Sequence, residues 1–205
     1  MTAWLLSLAV FSGLSLNLVL HVGVGAREIA LDEGKPATGR GSAGDALAFF
    51  LRLCVFFLLV SLLWLAFSLA RSLLPLGFLE YVFVFPAGFV AASGWNRLAG
   101  SFEPSFPALS EGCRLESWGG ALSGAALFVT LALAGSLAEA AALSLGFAFG
   151  ALLARAIVEE IKRRAATEAV HPRLRGAPLA LVAMGLLSLV FSSVAAMFFE
   201  VLGRG

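Results

Sequence analysis

The sequence predicts an all-α integral membrane protein with six transmembrane helices, and three observations lead to this fold class. The 205 residues are 60% apolar and only 13% charged, whereas a soluble domain is about 25% charged. The apolar residues form long runs, not the alternating segments of about ten residues that a membrane β-barrel requires. Backbone polar groups in hydrocarbon must be bonded within the protein, so helices of roughly 20 residues are the remaining way for this chain to cross the bilayer.

The first half of the chain contains three predicted spans, at about residues 3–24, 46–70 and 78–94. The first has no basic flank and is longer than the core of a signal peptide, so we expect it to be retained. The second ends at Arg71. The third contains Pro86, which favours a kink rather than a break because neighbouring helices can satisfy the freed carbonyl.

The second half of the chain contains three more predicted spans, at about residues 117–134, 137–158 and 177–202. We therefore expect residues 1–205 to form a single membrane domain of six helices. Only Gly135 and Ser136 separate the fourth and fifth spans. The order of spans also fits two three-helix blocks of opposite orientation, which is the arrangement of an inverted repeat.

The basic residues are strongly asymmetric across these spans. One side has only Arg71 and Arg204. The other side has twelve of the 14 basic residues, namely Arg27, Lys35, Arg40, Arg52, Arg97, Arg114, Arg155, Lys162, Arg163, Arg164, Arg173 and Arg175. The positive-inside rule therefore predicts that both termini are extracytoplasmic.

Few residues could carry chemistry. Asn17 could bond either a neighbouring helix or the backbone of a broken helix, and both interpretations stay open. His21 could ligate a metal, but without a second ligand at suitable spacing a hydrogen-bonded structural histidine is the simpler interpretation. Cys54 lies in a span and Cys113 in a polar loop, so we interpret both as structural thiols rather than as a disulfide framework.

Several classes of function are excluded by what the sequence lacks. No nucleophile–base pair, Walker loop, dinucleotide glycine motif or zinc spacing is present, so a self-contained enzyme is not expected. No basic patch is interleaved with aromatic residues, so nucleic acid is not an expected partner. The charged run at residues 159–164 could dock a soluble partner, but a solvated helix end with Glu160 and Arg164 at i, i+4 spacing is the favoured interpretation.

The last third of the chain carries a family resemblance. It contains GFAFG at residues 146–150, AIVEE at 156–160, PRLRG at 172–176 and ALVAMGLLSLVF at 180–191. This stretch resembles the integral membrane subunits of the Rnf and Nqr electron transport complexes, most closely the RnfA type among RnfA, RnfE, NqrD and NqrE. The resemblance implies six helices, a place in the bacterial cytoplasmic (inner) membrane, and a role in a respiratory complex that couples electron transfer to ion transport.

The resemblance extends to the first span, where Asn17 and Leu20 match an Asn-x-x-Leu run that in the family precedes a Gly-Leu-Cys-Pro motif beginning at Gly25. Family members place one cysteine there and another in the fourth helix, and two such subunits share a two-iron two-sulfur cluster. Here Arg27 stands at the first cysteine position, and Gly119-Gly120 lie in the cysteine-free stretch of the fourth helix. Arginine and glycine supply no thiolate, so we expect this chain to bind no cluster and no other cofactor by itself.

Two hypotheses follow. The first is a cluster-free subunit of an Rnf-like or Nqr-like ion-translocating oxidoreductase complex, not itself catalytic, with a homologous membrane subunit, the other subunits and the lipid bilayer as partners. The second, suggested by the missing cysteines, is a small transporter component or scaffold with the same fold and no redox role.

Overall fold

All regular secondary structure in the described part of the chain is helical. The computed structural model describes residues 2–20, 42–73, 79–101, 115, 119–167, 171 and 176–203, and no strand occurs among them. Helix α1 (Thr2–Val10) continues into one π-helical turn (Phe11–Ser15). The others are α2 (Ser42–Leu73), α3 (Leu79–Ser101), α4 (Gly119–Leu133), α5 (Leu137–Thr167) and α6 (Ala177–Gly203). The predicted all-α class is confirmed for these residues.

Three helices are long and apolar enough to cross a membrane. Their apolar parts are Phe50–Leu73 in α2, Leu137–Ala165 in α5 and Ala177–Glu200 in α6, with mean hydropathies of 2.6, 1.9 and 2.3. About 28% of the most apolar stretch is buried in α2 and in α6, against 56% in α5. Large apolar side chains such as Leu62 and Met197 are exposed. This exterior requires hydrocarbon around it, so the protein is embedded in a membrane, and α5 is its central helix.

The first and fourth helical segments are shorter than a bilayer crossing. The π turn that extends α1 ends at Ser15, and α4 has 15 residues. At about 1.5 Å of rise per residue each segment is about 20 Å long, whereas the hydrocarbon core is about 30 Å thick. The first helix is therefore shorter than the continuous span predicted over 3–24: residues 16–20 are not helical, and residues 21–24 lie outside the described part.

The remaining helices begin close to the predicted positions, but three of them end later. Helix α3 continues through Pro86, as predicted, and extends past residue 94 to Ser101. Helices α2 and α5 also extend beyond the predicted spans at 46–70 and 137–158. Polar residues can continue a helix once it leaves the hydrocarbon, and the apolar pattern from which the spans were predicted does not detect these extensions.

A short, capped turn joins α4 to α5. The backbone N–H of Gly135 donates to Oε2 of Glu139 at 2.9 Å, and the N–H of Glu139 donates to Oγ of Ser136 at 3.3 Å. This arrangement resembles a capping box, in which a hydroxyl and a carboxylate satisfy free N–H groups at a helix start, except that the carboxylate accepts from Gly135, one residue before the cap residue Ser136. Glu139, although close to the apolar part of α5, therefore has a structural role.

The two short helical segments pack against the long helices of the bundle. Helix α1 contacts α5, and its π turn contacts both α5 and α6. Helix α4 contacts α3 most extensively and α2 as well. The central pair is α2 and α5, and a cluster of buried side chains that includes Val60, Leu122 and Phe147 lies among the helices.

Glycines allow the short segments to approach their partners at backbone distance. A Cβ at Gly13 would lie 2.9 Å from the carbonyl oxygen of Gly146, and one at Gly150 would clash with the backbone of Gly13. The other short helix, α4, makes a similar contact with α3. A Cβ at Gly88 of α3 would lie 2.5 Å from Cα of Gly124 in α4. Small residues are the usual means of close helix packing in membranes.

We predict that Gly150→Ala destabilises the protein, because the added methyl would meet backbone atoms of Gly13 that cannot rotate away. Overpacking of this kind costs about 1–3 kcal/mol, so the thermal unfolding midpoint in detergent should fall. The matched control is Gly185→Ala, since a Cβ at Gly185 has no neighbour within 4 Å. Equal midpoints for the two variants would contradict the backbone contact between α1 and α5.

Candidate functional site at the end of the first helix

The helix ends in the interior of the molecule. The N–H of Leu16 donates to the carbonyl oxygen of Phe11 at 2.7 Å, which closes the π turn, and Leu16 then leaves helical geometry with φ −110° and ψ 43°. The residues that follow are buried, Leu18 at 4% and Val19 at 1% exposure. A chain that leaves a helix in apolar surroundings must find other partners for its backbone groups.

The side chain of Asn17 provides these partners. Its Nδ2 donates to the carbonyl oxygen of Gly13 at 3.0 Å. Its Oδ1 accepts from the N–H groups of Val19 at 3.1 Å and Leu20 at 3.2 Å. Asparagine competes with helical bonding in this way because its amide combines donors and an acceptor. Of the two interpretations of Asn17, the structure supports bonding to the backbone of a broken helix.

The other buried polar side chains also bond backbone carbonyls. Ser12 donates to Ala9, Ser123 to Gly88 of α3, Thr130 to Ala126 and Ser144 to Ala140. The hydroxyls of Ser61 in α2 and Ser144 in α5 also lie 3.2 Å apart. With Asn17, these four residues are the buried polar side chains of the described part, and none of them is titratable at neutral pH.

A second amide pairing joins the end of α3 to the chain that precedes α4. Asn96 of α3 donates through Nδ2 to the carbonyl oxygen of Leu115 at 2.6 Å, and its Oδ1 accepts from the N–H of Leu115 at 2.8 Å. These bonds hold the chain just before α4 against the end of α3. The third predicted span ended at residue 94 and a polar stretch was expected after it, and for this reason the sequence analysis missed Asn96. An amide two residues past an apolar run was the available signal.

The charged end of α5 is paired within itself. Glu160 accepts from Arg163 and from Arg164, each at 2.8 Å, and Arg155 donates to Glu159 at 2.5 Å. The predicted i, i+4 pair of Glu160 and Arg164 is confirmed. Exposed pairs at this spacing add little stability. They nevertheless give the charged side chains of Glu160, Arg163 and Arg164 partners on their own helix, which supports the interpretation of a solvated helix end.

The residues implied by the family resemblance are only partly described. His21, Arg27 and Cys113 lie outside the described residues, whereas Gly119 and Gly120 begin α4. Cys54 is a free, half-buried thiol on α2. Among the described residues, His, Cys, Asp and Glu side chains form no group of three that could hold a metal ion. The expectation that the chain binds no cluster stays a prediction.

An apolar crevice lies beside the end of α1. It opens between α1, α2 and α5, has a volume of about 300 Å³, and is lined by residues that include Val10, Leu14, Leu53, Leu145 and Phe149. Gly13 and Gly146, which form the tight contact between the two helices, also line it. The crevice thus adjoins the segment that Asn17 organises.

We predict that Asn17→Ala lowers stability and loosens the turn, because the carbonyl of Gly13 and the N–H groups of Val19 and Leu20 lose their partner. Leaving buried backbone groups unsatisfied costs about 1–3 kcal/mol each. The unfolding midpoint in detergent should fall, and amide exchange at residues 16–20 should accelerate. Ser193→Ala is the control, since that exposed hydroxyl bonds only the carbonyl of Leu189. Unchanged exchange at Val19 and Leu20 would refute the capping role.

Comparisons with known proteins add no assignment. No family model matches the sequence, and neither a curated protein nor a solved structure matches this chain. Any function must therefore be argued from the residues and the packing described above.

Proposed function

We propose that the chain is a membrane subunit of an Rnf-like or Nqr-like ion-translocating electron transport complex, and that it has no iron–sulfur ligands of its own. The observation that carries the proposal is the order of helix lengths: short, long, long in α1 to α3, and again in α4 to α6. The sequence motifs in the first span and in the last third of the chain supply the link to this family.

The packing supports two inverted three-helix blocks. The first short segment contacts α5 and α6, the two long helices of the second block. The second short helix contacts α3 most extensively and α2 as well, which are the two long helices of the first block, and it also contacts its own neighbour α5. This reciprocal exchange is what a pseudo-two-fold axis in the membrane plane would produce. In this proposal each of the six segments crosses the membrane once, each short one together with the chain that flanks it, so the second block begins on the side opposite to the first.

The ends of the short segments support a structural role without a cluster. Where the family resemblance implies a thiolate, this chain has Arg27 after the first short segment and Gly119-Gly120 at the start of the second short helix. Neither residue type can ligate iron. The side-chain amide of Asn17 already bonds the freed backbone groups at the end of α1. In this proposal the chain positions a homologous, cluster-bearing subunit in the membrane.

The outer surface supports a role within an assembly and a lipid bilayer. On α3 the apolar side chains of Val82, Phe83 and Phe89 are 65%, 57% and 57% exposed. On α6, Leu186 and Leu189 are similarly exposed. Such faces are stable against lipid or against another transmembrane subunit, and a homologous partner would bring a matching apolar face.

We predict that affinity purification of the tagged chain from its native membrane, in mild detergent, co-isolates a homologous membrane subunit together with flavin-bearing and iron–sulfur-bearing partners. Flavin fluorescence and iron analysis of the isolate would detect them, with a mock purification from untagged cells as the control. Iron that stays with the partner after mild dissociation would support a cluster-free chain. Isolation of the chain alone, or with a nucleotide-binding transport subunit, would contradict the proposal and favour a transporter component or scaffold.

The orientation follows from the same proposal: both termini extracytoplasmic in a bacterial cytoplasmic membrane. The twelve basic residues on one side, including the charged end of α5, support it. We predict that a cysteine introduced at Thr2 reacts with a membrane-impermeant maleimide in intact cells, whereas one replacing Arg163 reacts only after lysis. The Cys54→Ala, Cys113→Ala background removes the native thiols. Reaction of both positions in intact cells would overturn this topology.

A further inference from the structure

The charged end of α5 has two different faces. Ala154, Val158 and Ala165 are 1%, 1% and 8% exposed, and at these spacings they lie on one side of the helix. That side therefore stays packed within the protein beyond the apolar part of α5. On the outer side, the side chains of Arg163 and Arg164 are each 74% exposed. These two arginines thus face whatever surrounds the bundle at this level.

The spacing of charges along α5 places this end at the level of the lipid headgroups. Glu139 in the capped turn and Glu159 are 20 residues apart, and the only charged residue between them, Arg155, extends toward Glu159 to which it donates. At about 1.5 Å of rise per residue these 20 residues span about 30 Å, which is the thickness of the hydrocarbon core. The headgroup layer adds about 5–7 Å on each side. Glu160 and the turn that follows it therefore lie in that layer.

Glu160 holds both exposed guanidinium groups at this level. Nη2 of Arg163 lies 2.8 Å from one of its carboxylate oxygens, and Nε of Arg164 lies 2.8 Å from the other. Because side chains on a helix lean toward its N-terminus, both arginines extend back toward the bilayer rather than away from it. One carboxylate balances only one of the two guanidinium charges, and Lys162 adds a further positive charge. The headgroup layer therefore meets an excess of positive charge here.

An excess of positive charge in the headgroup layer is complementary to anionic lipid. Guanidinium groups bind phosphate oxygens through paired N–H donors. A zwitterionic headgroup already balances its phosphate with a cation of its own, whereas an anionic headgroup does not. We propose that Lys162, Arg163 and Arg164, with the two arginines oriented by Glu160, bind the headgroup of an anionic phospholipid in the leaflet at this end of α5. This inference rests on the membrane embedding and not on the proposed electron transport complex.

The test measures which lipid the protein retains from micelles that contain equal amounts of phosphatidylglycerol and phosphatidylcholine, by native mass spectrometry. We expect the wild-type protein to retain phosphatidylglycerol preferentially. A basic residue at an anionic surface strengthens binding about fivefold, so the double variant Arg163→Gln, Arg164→Gln should lower the ratio of the two lipids by about 5-fold to 25-fold. The matched control is Arg71→Gln, Arg97→Gln, which removes the same charge from exposed residues near the ends of α2 and α3. It should keep the wild-type ratio.

A second measurement uses the unmodified chain and so does not depend on variants that fold. Phosphatidylglycerol with a diazirine in its headgroup, reconstituted with the wild-type protein and irradiated, should label residues 159–167. The proposal is overturned if the wild-type protein shows no preference for phosphatidylglycerol, if the two double variants give equal ratios, or if only other helix ends are labelled. A partner protein that is lost from the Arg163→Gln, Arg164→Gln variant while its lipid ratio stays unchanged would overturn it as well, since the arginines would then dock a protein.

Discussion

The structure depends on how the backbone is satisfied where α1 ends inside an apolar interior. In water, the chain could leave a helix at almost any residue because solvent would bond the freed groups. In hydrocarbon each such group would lose several kcal/mol of hydration without return. The single side chain of Asn17 bonds three of these groups. This bonding lets the helix stop at Ser15, turns Leu18 and Val19 into the core, and leaves Gly13 placed against α5.

The interior that results is polar in places. The buried hydroxyls of the described residues return to backbone carbonyls, and the ionic pairs of the described residues lie toward the end of α5, where Arg155 is only 11% exposed. Polar groups satisfied within the bundle fix helix positions. This is a feature expected of a subunit that supplies shape to an assembly, which is the role proposed above.

Much of the fold could be predicted because hydrocarbon imposes simple rules on composition. Long apolar runs predicted the positions of α2, α5 and α6, and the rule that helices tolerate Pro in membranes predicted continuity through Pro86. The early end of α1 was not predicted, since Leu18, Val19 and Leu20 continue the apolar run and only the pairing of Asn17 with its own backbone interrupts the helix. Asn96 was missed for the opposite reason: a polar residue after an apolar run suggested a loop, while its partner Leu115 is distant in sequence. Hydropathy shows which segments lie in the hydrocarbon, but it does not show which backbone groups a side-chain amide bonds.

The capped turn between α4 and α5 has a consequence for biogenesis. Helix α4 has 15 residues, too few to remain stably in the bilayer on its own, and the Ser136 and Glu139 cap joins it to the next helix with almost no slack. The two helices therefore have to partition into the lipid together as one hairpin during synthesis. Their pairing would be established before α6 emerges from the ribosome, so the second half of the protein begins to assemble from its shortest helix.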